Sequence, residues 1–237
     1  MSQESGRGTS APLADRGADL YETPPCATRA LLMQCRYNSG ALPPPDGFLN
    51  PIWEPAAGRR AIADELIADG YAVVATDLVA RGAPGVVPRL DFLLETSAPK
   101  NCRRIITNPP FKLADEFARH ALELVDDVFL LLRLAYLQGA ERSDLIDGGK
   151  LAAVYPFVER LPMMHRDGYE GKKLKDGGIP FAWFYWSNYH TGAAAVVRRI
   201  SWRETEETLP EHLARRRDEE NATPSDPDRC ENTVEMF

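Results

Sequence analysis

Apolar residues along this chain fall into short buried runs separated by helical stripes. Ile52-Trp53-Glu54 reads as a short strand. After a tight turn of small residues comes a helix with Ile62, Leu66 and Ile67 on one face, ending at Asp69-Gly70. Ala72–Thr76 is a second strand that closes on Asp77. Residues 80–90 are rich in Gly and Pro, so any helix there is short or absent. Ile105-Ile106-Thr107 begins a second unit, followed by an amphipathic helix from Leu113 to Leu124 with Phe117, Ala118, Ala121 and Leu122 inward. Val128–Leu132 is a wholly apolar strand, and Glu141–Ile146 is helical. Lys150–Phe157 and Phe181–Trp186 are further strands, with an edge strand within Val196–Trp202. Two β-α-β units in succession predict a parallel, doubly wound sheet.

The flanks break this pattern. Residues 1–18 are Ser, Gly, Ala and charge and read as a disordered tail. The folded domain is expected over 19–202. Residues 203–237 carry runs of like charge without a sustained apolar pattern, predicting an acidic, largely disordered tail. Inside the domain, residues 159–180 form a long loop with Arg166, Tyr169, Lys172 and Lys173 among glycines. Long loops in compact domains are functional or disordered. Basic residues beside an aromatic suit contacts to phosphates and unstacked bases, and a solvated flexible loop is the plain alternative.

Three stretches carry candidate chemistry. The first is Asn108-Pro109-Pro110-Phe111 at the end of the 105–107 strand. Prolines lack an N–H and bias the preceding residue away from helix, so the chain makes a stiff, extended corner. The carboxyl edge of such a sheet is where ligands bind. The Asn108 side-chain oxygen and the Pro109 carbonyl can accept from a planar amino-bearing group while its ring stacks on Phe111. A Pro-rich turn with a core Phe is the bland reading. The second stretch is Glu54-Pro55-Ala56-Ala57-Gly58, whose small residues admit a ligand close to the backbone, followed by Asp77. An acid at the end of the second strand of a β-α-β unit can accept both hydroxyls of a ribose. With one glycine in the turn, adenosine without phosphates fits better than a dinucleotide. Asp91-Phe92 could hold an adenine by its amino group and its face, or be a loop residue and a core Phe. The third is Thr23-Pro24-Pro25, with Thr23 as an N-cap and Pro24 at the first helical position.

Composition narrows the class. At 237 residues and 44% hydrophobic the chain can bury one full core. No run approaches the ~18 apolar residues of a membrane helix, and the N-terminus carries no apolar signal segment. Cys26, Cys35, Cys102 and Cys230 lack CxxC spacing, which speaks against a zinc site or a disulfide framework. These features predict a cytoplasmic protein with no bound metal and no membrane partner. The net charge of −7 sits mostly in residues 203–237, which hold 5 basic and 11 acidic residues. The body is near neutral and compatible with a local basic face.

Together, Thr23-Pro24-Pro25, Glu54-Pro55-Ala56-Ala57-Gly58, Asp77, Asp91-Phe92 and Asn108-Pro109-Pro110-Phe111 resemble the amino-directed DNA methyltransferases that use S-adenosyl-L-methionine, in particular the small phage- or prophage-type adenine enzymes. The resemblance spans roughly residues 20–190. It implies one Rossmann-like class I methyltransferase domain with a mostly parallel seven-stranded sheet and helices on both faces. It implies that Thr23 and Pro24 flank the methionine carboxylate and that Glu54, Ala56 and Gly58 wrap the methionine part. Asp77 takes the ribose, and Asp91 with Phe92 takes the cofactor adenine. Asn108 and Pro109 then bind the N6 amino group of a flipped DNA base, and Phe111 stacks on it. No long target-recognition domain is visible, so specificity falls to the 159–180 loop or to a partner. RNA and protein-glutamine methyltransferases share the corner, and a non-catalytic cofactor-binding accessory protein is a further alternative.

Overall fold

The computed structural model describes residues 21–47, 49–162, 179–192 and 194–203. The expected tails, and with them Arg166, Tyr169, Lys172 and Lys173 of the candidate loop, lie outside the described residues.

The sheet is built around β5 (Asp127–Arg133), buried from Asp127 to Leu132 and exposed only at Arg133. Its side chains alternate between two cores. Phe129 and Leu131 join one, while Val128, Leu130 and Leu132 join the other. β7 (Phe181–Ser187) divides the same way, Trp183 against Ala182, Phe184 and Trp186. Period-two geometry produces this split when both faces of a sheet are covered, and it explains why these strands read as continuous apolar runs.

The remaining strands are β1 (Ile52–Glu54), β2 (Val73–Asp77), β3 (Val86–Pro88), β4 (Arg104–Thr107), β6 (Leu151–Pro156) and β8 (Val196–Val197). Their order is β3-β2-β1-β4-β5-β7-β6-β8. Strands β1 to β5 pair in parallel, and β7 inserts antiparallel between β5 and β6. The sheet therefore has eight strands, one more than the seven the resemblance implies. The added strand is β3, while β8 is the expected edge strand, reduced to two exposed residues that pair with β6 and a bridge from Ile200 to Phe157. β3 was hidden in the sequence by the glycines and prolines around it. Its Pro88 is tolerated because β3 is an edge strand.

Helices cover both faces. α1 (Pro25–Leu32) and α2 (Ala61–Ala68) pack on one core through Ala27, Leu31, Ile62 and Leu66. α3 (Ala114–Leu124) and α4 (Ser143–Ile146) pack on the other through Phe117, Ala118, Ala121 and Leu145. Two local expectations fail. Ile67 is 40% exposed, because Ile62, Ala63 and Leu66 already fill the inward stripe of α2. Thr23 does not cap α1. Pro24 occupies the cap position, no side chain caps the helix, and α1 starts at Pro25.

Tryptophans tie helices to the sheet with hydrogen bonds as well as area. Trp183 Nε1 donates to the Ala27 carbonyl at 2.9 Å, and Trp186 Nε1 donates to the Leu145 carbonyl at 2.8 Å. Trp183 is wholly buried, so a Phe there keeps most of the packing but strips the donor. Trp183→Phe is expected to cost about 1–3 kcal/mol, read as a lower urea midpoint at unchanged slope. A loss under about 0.5 kcal/mol would show that this anchor is dispensable.

Candidate functional site

The sheet reverses its winding at β1, which pairs with β2 on one side and β4 on the other. At such a switch point the connections leave in opposite directions and open a crevice at the carboxyl ends of the strands. A cavity of about 260 Å³ lies there. Thr23, Glu54, Ala56, Asp77, Asp91, Phe92, Asn108, Pro109 and Pro110 all line it, from five separate stretches of chain. Pro24, Gly58 and Phe111 do not line it. The volume sits at the small end of ligand pockets, about 300–1,000 Å³.

Asn108 follows β4 and is held from a distance. Its Nδ2 donates to the Tyr21 carbonyl and to Thr23 Oγ1, both at 3.1 Å. With both amide hydrogens committed, the side chain presents its oxygen as an acceptor. Thr23 thus serves to orient Asn108, while Pro24 holds the cap position of α1. Pro110 starts a single turn (Phe111–Leu113), and its carbonyl accepts from the Leu113 amide at 2.9 Å. The Pro110 carbonyl is thus tied up within the turn.

Asp77 ends β2 and is buried. Its Oδ2 accepts from the Gly58 amide and its Oδ1 from the Val79 amide, each at 2.7 Å. Gly58 has φ +56°, which costs a side-chain-bearing residue steric strain. It acts by aiming Asp77 rather than by lining the cavity. An ionised carboxylate has about four lone-pair sites, so two amides leave acceptor capacity for two hydroxyls. Asp91 Oδ1 accepts from the Leu93 amide at 3.1 Å and caps the turn Phe92–Leu94. Phe92 is buried edge-on against Trp53, with ring centres 5.1 Å apart, and 4.7 Å from Phe117. It is a core residue and a cavity wall at once, so both of the readings open in the sequence apply to it.

Glu54, only 1% exposed, ends β1. It accepts from the Ala63 amide in the first turn of α2, while its Oε2 is buried with no hydrogen-bond partner. Burial first, and then the nearby charges of Asp64 and Asp77, hold its carboxyl well above the usual range against the pull of the Ala63 amide and Arg60. A buried carboxyl with one orphaned oxygen is costly unless something pairs with it. A cationic ammonium in this cavity would supply that partner. Among the described residues no group of three or more His, Cys, Asp and Glu side chains is placed to hold a metal ion, and no helix is long and apolar enough to cross a membrane. Cys26, Cys35 and Cys102 are buried and form no disulfide with one another.

Two contributors escaped the sequence reading. Tyr21 supplies a carbonyl to Asn108 and a ring 5.1 Å from Phe111. Arg133, at the exposed end of β5, lays its guanidinium over the Phe111 ring at 4.9 Å. The only signal for Tyr21 was an aromatic residue just before Thr23-Pro24-Pro25, and Arg133 carried the one charge ending an apolar strand.

No protein-family profile matches the chain, and no curated protein matches it. Solved structures do. A protein from Pyrococcus horikoshii described as an RNA methyltransferase is 18% identical at TM-score 0.50, covering 76% of this chain and 92% of that one. A modification subunit of a type I restriction enzyme from Vibrio vulnificus YJ016 is 10% identical at TM-score 0.49, covering 90% of this chain and 55% of that one. The M protein of the type I restriction enzyme EcoKI is 14% identical at TM-score 0.47, covering 75% and 47%. The fold is thus the Rossmann-like fold of class I methyltransferases.

The Glu54 carboxyl has a testable linkage. Its pKa in the folded state is raised above the unfolded value of about 4.3. Below that value both states are protonated and the residue costs nothing. As pH rises, only the unfolded chain ionises, and stability falls by about 1.4 kcal/mol per pH unit until the folded carboxyl titrates. Glu54→Gln without ligand should therefore melt higher than the native protein at pH 7, with the gap closing towards pH 4. Equal melting temperatures at pH 7 would mean that Glu54 is ionised and paired.

Proposed function

We propose that this protein transfers a methyl group from S-adenosyl-L-methionine to the exocyclic N6 amino group of adenine in DNA. The observation that carries the reading is the locked Asn108. Its two amide hydrogens are committed to Tyr21 and Thr23, so an acceptor oxygen stands at the wall of the cavity that also holds Glu54 and Asp77.

The residues of that cavity suit the cofactor. The orphaned Glu54 Oε2 fits the ammonium of a methionine moiety, and Ala56 leaves room beside it. Thr23 and Pro24 stand at the start of α1, towards the carboxylate. Asp77, fixed by the Gly58 and Val79 amides, takes the ribose hydroxyls, and Asp91 with Phe92 takes the adenine. S-adenosyl-L-methionine bound there supplies a sulfonium methyl, an electrophile that leaves a neutral thioether.

The chain's own work is positioning and electrostatics. An aromatic exocyclic amine is a poor nucleophile, because its lone pair is delocalised into the ring. The Asn108 oxygen and the Pro109 carbonyl each accept one of its hydrogens. That favours a pyramidal nitrogen with its lone pair turned to the cavity. Pro110 and the Phe111–Leu113 turn keep the corner from relaxing into helix. The methylated nitrogen carries the positive charge and releases one proton to water, so no side-chain base of perturbed pKa is required. In duplex DNA the base must first leave the stack, at a cost of a few kcal/mol. Stacking on Phe111 and phosphate contacts from Arg166, Tyr169, Lys172 and Lys173 would offset it. Target selection by those residues, or by a partner, belongs to the same proposal.

The test is transfer of labelled methyl to unmethylated duplex DNA and, in parallel, to RNA, followed by nucleoside analysis. The native protein should yield N6-methyladenine from DNA, and Asn108→Ala should lose activity about 10²-fold or more. Incorporation confined to RNA would move the substrate class. No incorporation into either, with cofactor binding intact by calorimetry, would reject the reading.

A further inference from the structure

The Phe111 ring, to which the proposed reaction assigns the flipped base, is already covered. Tyr21 and Phe181 pack against it at 5.1 and 5.7 Å, and the Arg133 guanidinium lies over it at 4.9 Å. Tyr21 is anchored through its carbonyl to Asn108, and Phe181 lies within β7, opposite Arg133 in the β5–β7 register. Arg133 is exposed at the end of β5, and among the described residues no carboxylate pairs with it. Its neighbours differ. Arg142 pairs with Asp115 at 3.4 Å and with Glu141 at 2.8 Å, and Arg119 pairs with Asp144 at 2.7 Å. Local acids are thus spent on other arginines, and the charge of Arg133 is left to the aromatic face.

Phe111 and Arg133 share the wall of a second cavity of about 240 Å³, which has no lining residue in common with the Glu54–Asp77 pocket. Lys112 stands on the same wall, exposed. The first pocket sets Glu54, Asp77 and Asp91 beside Arg59 and Arg81, while the second sets Lys112, Arg133 and Arg142, with Asp115, beside the Phe111 ring.

We infer that Arg133 is a placeholder for the target base: in the free protein its guanidinium occupies the Phe111 face, and on substrate entry the base displaces it onto the phosphate flanking the extruded nucleotide. The inference rests on the amino-methylation reading of the corner. Its physics is a competition. A guanidinium on a half-buried ring is a weak contact, and a nucleobase stacks on an aromatic side chain more strongly. A displaced guanidinium gains a bidentate, charge-assisted partner in a phosphate. The loss on one side and the gain on the other give Arg133 two consequences of opposite sign. It should help a substrate that brings a phosphate and hinder one that does not.

The experiment uses the full chain as native protein, Arg133→Ala and Arg133→Lys. The probes are a mixed-sequence duplex DNA carrying one mismatched 2-aminopurine, whose fluorescence reports extrusion, and free adenosine. The salt slope of DNA binding should fall by ~1 in Arg133→Ala, with extrusion reduced and affinity for S-adenosylhomocysteine unchanged. Arg133→Lys should recover the slope but only part of the extrusion, because an ammonium lacks the planar fork. Adenosine should bind Arg133→Ala at least as tightly as the native protein. An unchanged slope and extrusion in Arg133→Ala would overturn the inference while leaving the methyltransferase reading standing. Weaker adenosine binding in Arg133→Ala would also overturn it, making Arg133 a plain stacking wall. Native protein that binds S-adenosylhomocysteine but neither extrudes 2-aminopurine nor binds DNA would overturn the nucleic-acid reading and the inference with it.

Discussion

Two hydrogen bonds from one amide, Asn108 to Tyr21 and Thr23, bridge 87 and 85 residues of sequence and hold the site together. A side-chain amide has a donor end and an acceptor end, and the two are chemically opposite. Which end faces a ligand decides whether the corner attracts an amino group or a carbonyl. Here the choice is made by the segment leading into α1, which takes both donors. The geometry of the corner is local, enforced by Pro109 and Pro110, but its chemical polarity is imposed from elsewhere. α1 is in turn fixed to the sheet by Trp183, whose indole N–H reaches the Ala27 carbonyl. A contact in the buried core thus supports the aim of a polar group at the surface crevice.

The same economy appears at Asp77. Gly58 takes a left-handed φ and turns its amide onto the carboxylate, and Val79 supplies the second amide. Glu54 sits on the first turn of α2, where free amides collect, and keeps one oxygen without a partner. The three acceptors converge because β1, β2 and β4 end together where the sheet reverses its winding. Both faces of that sheet are sealed by apolar cores, so polar groups find room only at the strand ends. Where the chain satisfies its buried polarity it fixes the site, as at Asp77, and where it does not, at Glu54 Oε2, it leaves an acceptor for a ligand.

The strands, the covered faces and the acids at strand ends were legible because each rests on local chemistry. The unbroken apolar run Val128–Leu132, a Pro-Pro stop after Thr107 and an Asp closing Ala72–Thr76 need no tertiary information. What stayed hidden depends on long-range partners. Thr23 looks like an N-cap until Asn108 takes its hydroxyl. Pro110 seems to leave an open carbonyl until the Leu113 amide folds back onto it. Phe111 looks like a bare stacking platform, yet the β5–β7 register sets Arg133 opposite Phe181 beside it. Ile67 fits the apolar stripe of α2 by spacing, but Ile62, Ala63 and Leu66 already satisfy the core. β3 has too few apolar residues, between glycines and a proline, to announce itself.

The central claim is that the segment before α1 aims the Asn108 oxygen. The most direct measurement is methyl-transfer turnover at saturating cofactor and nucleic acid for Thr23→Ser and Thr23→Val. Serine keeps the oxygen that receives the Asn108 amide, while valine keeps the shape and removes it. Turnover near native for Thr23→Ser, with a loss approaching ~10²-fold for Thr23→Val, is the expected result for a misaimed group. Equal turnover in both variants would contradict the claim and leave Asn108 oriented by something other than Thr23.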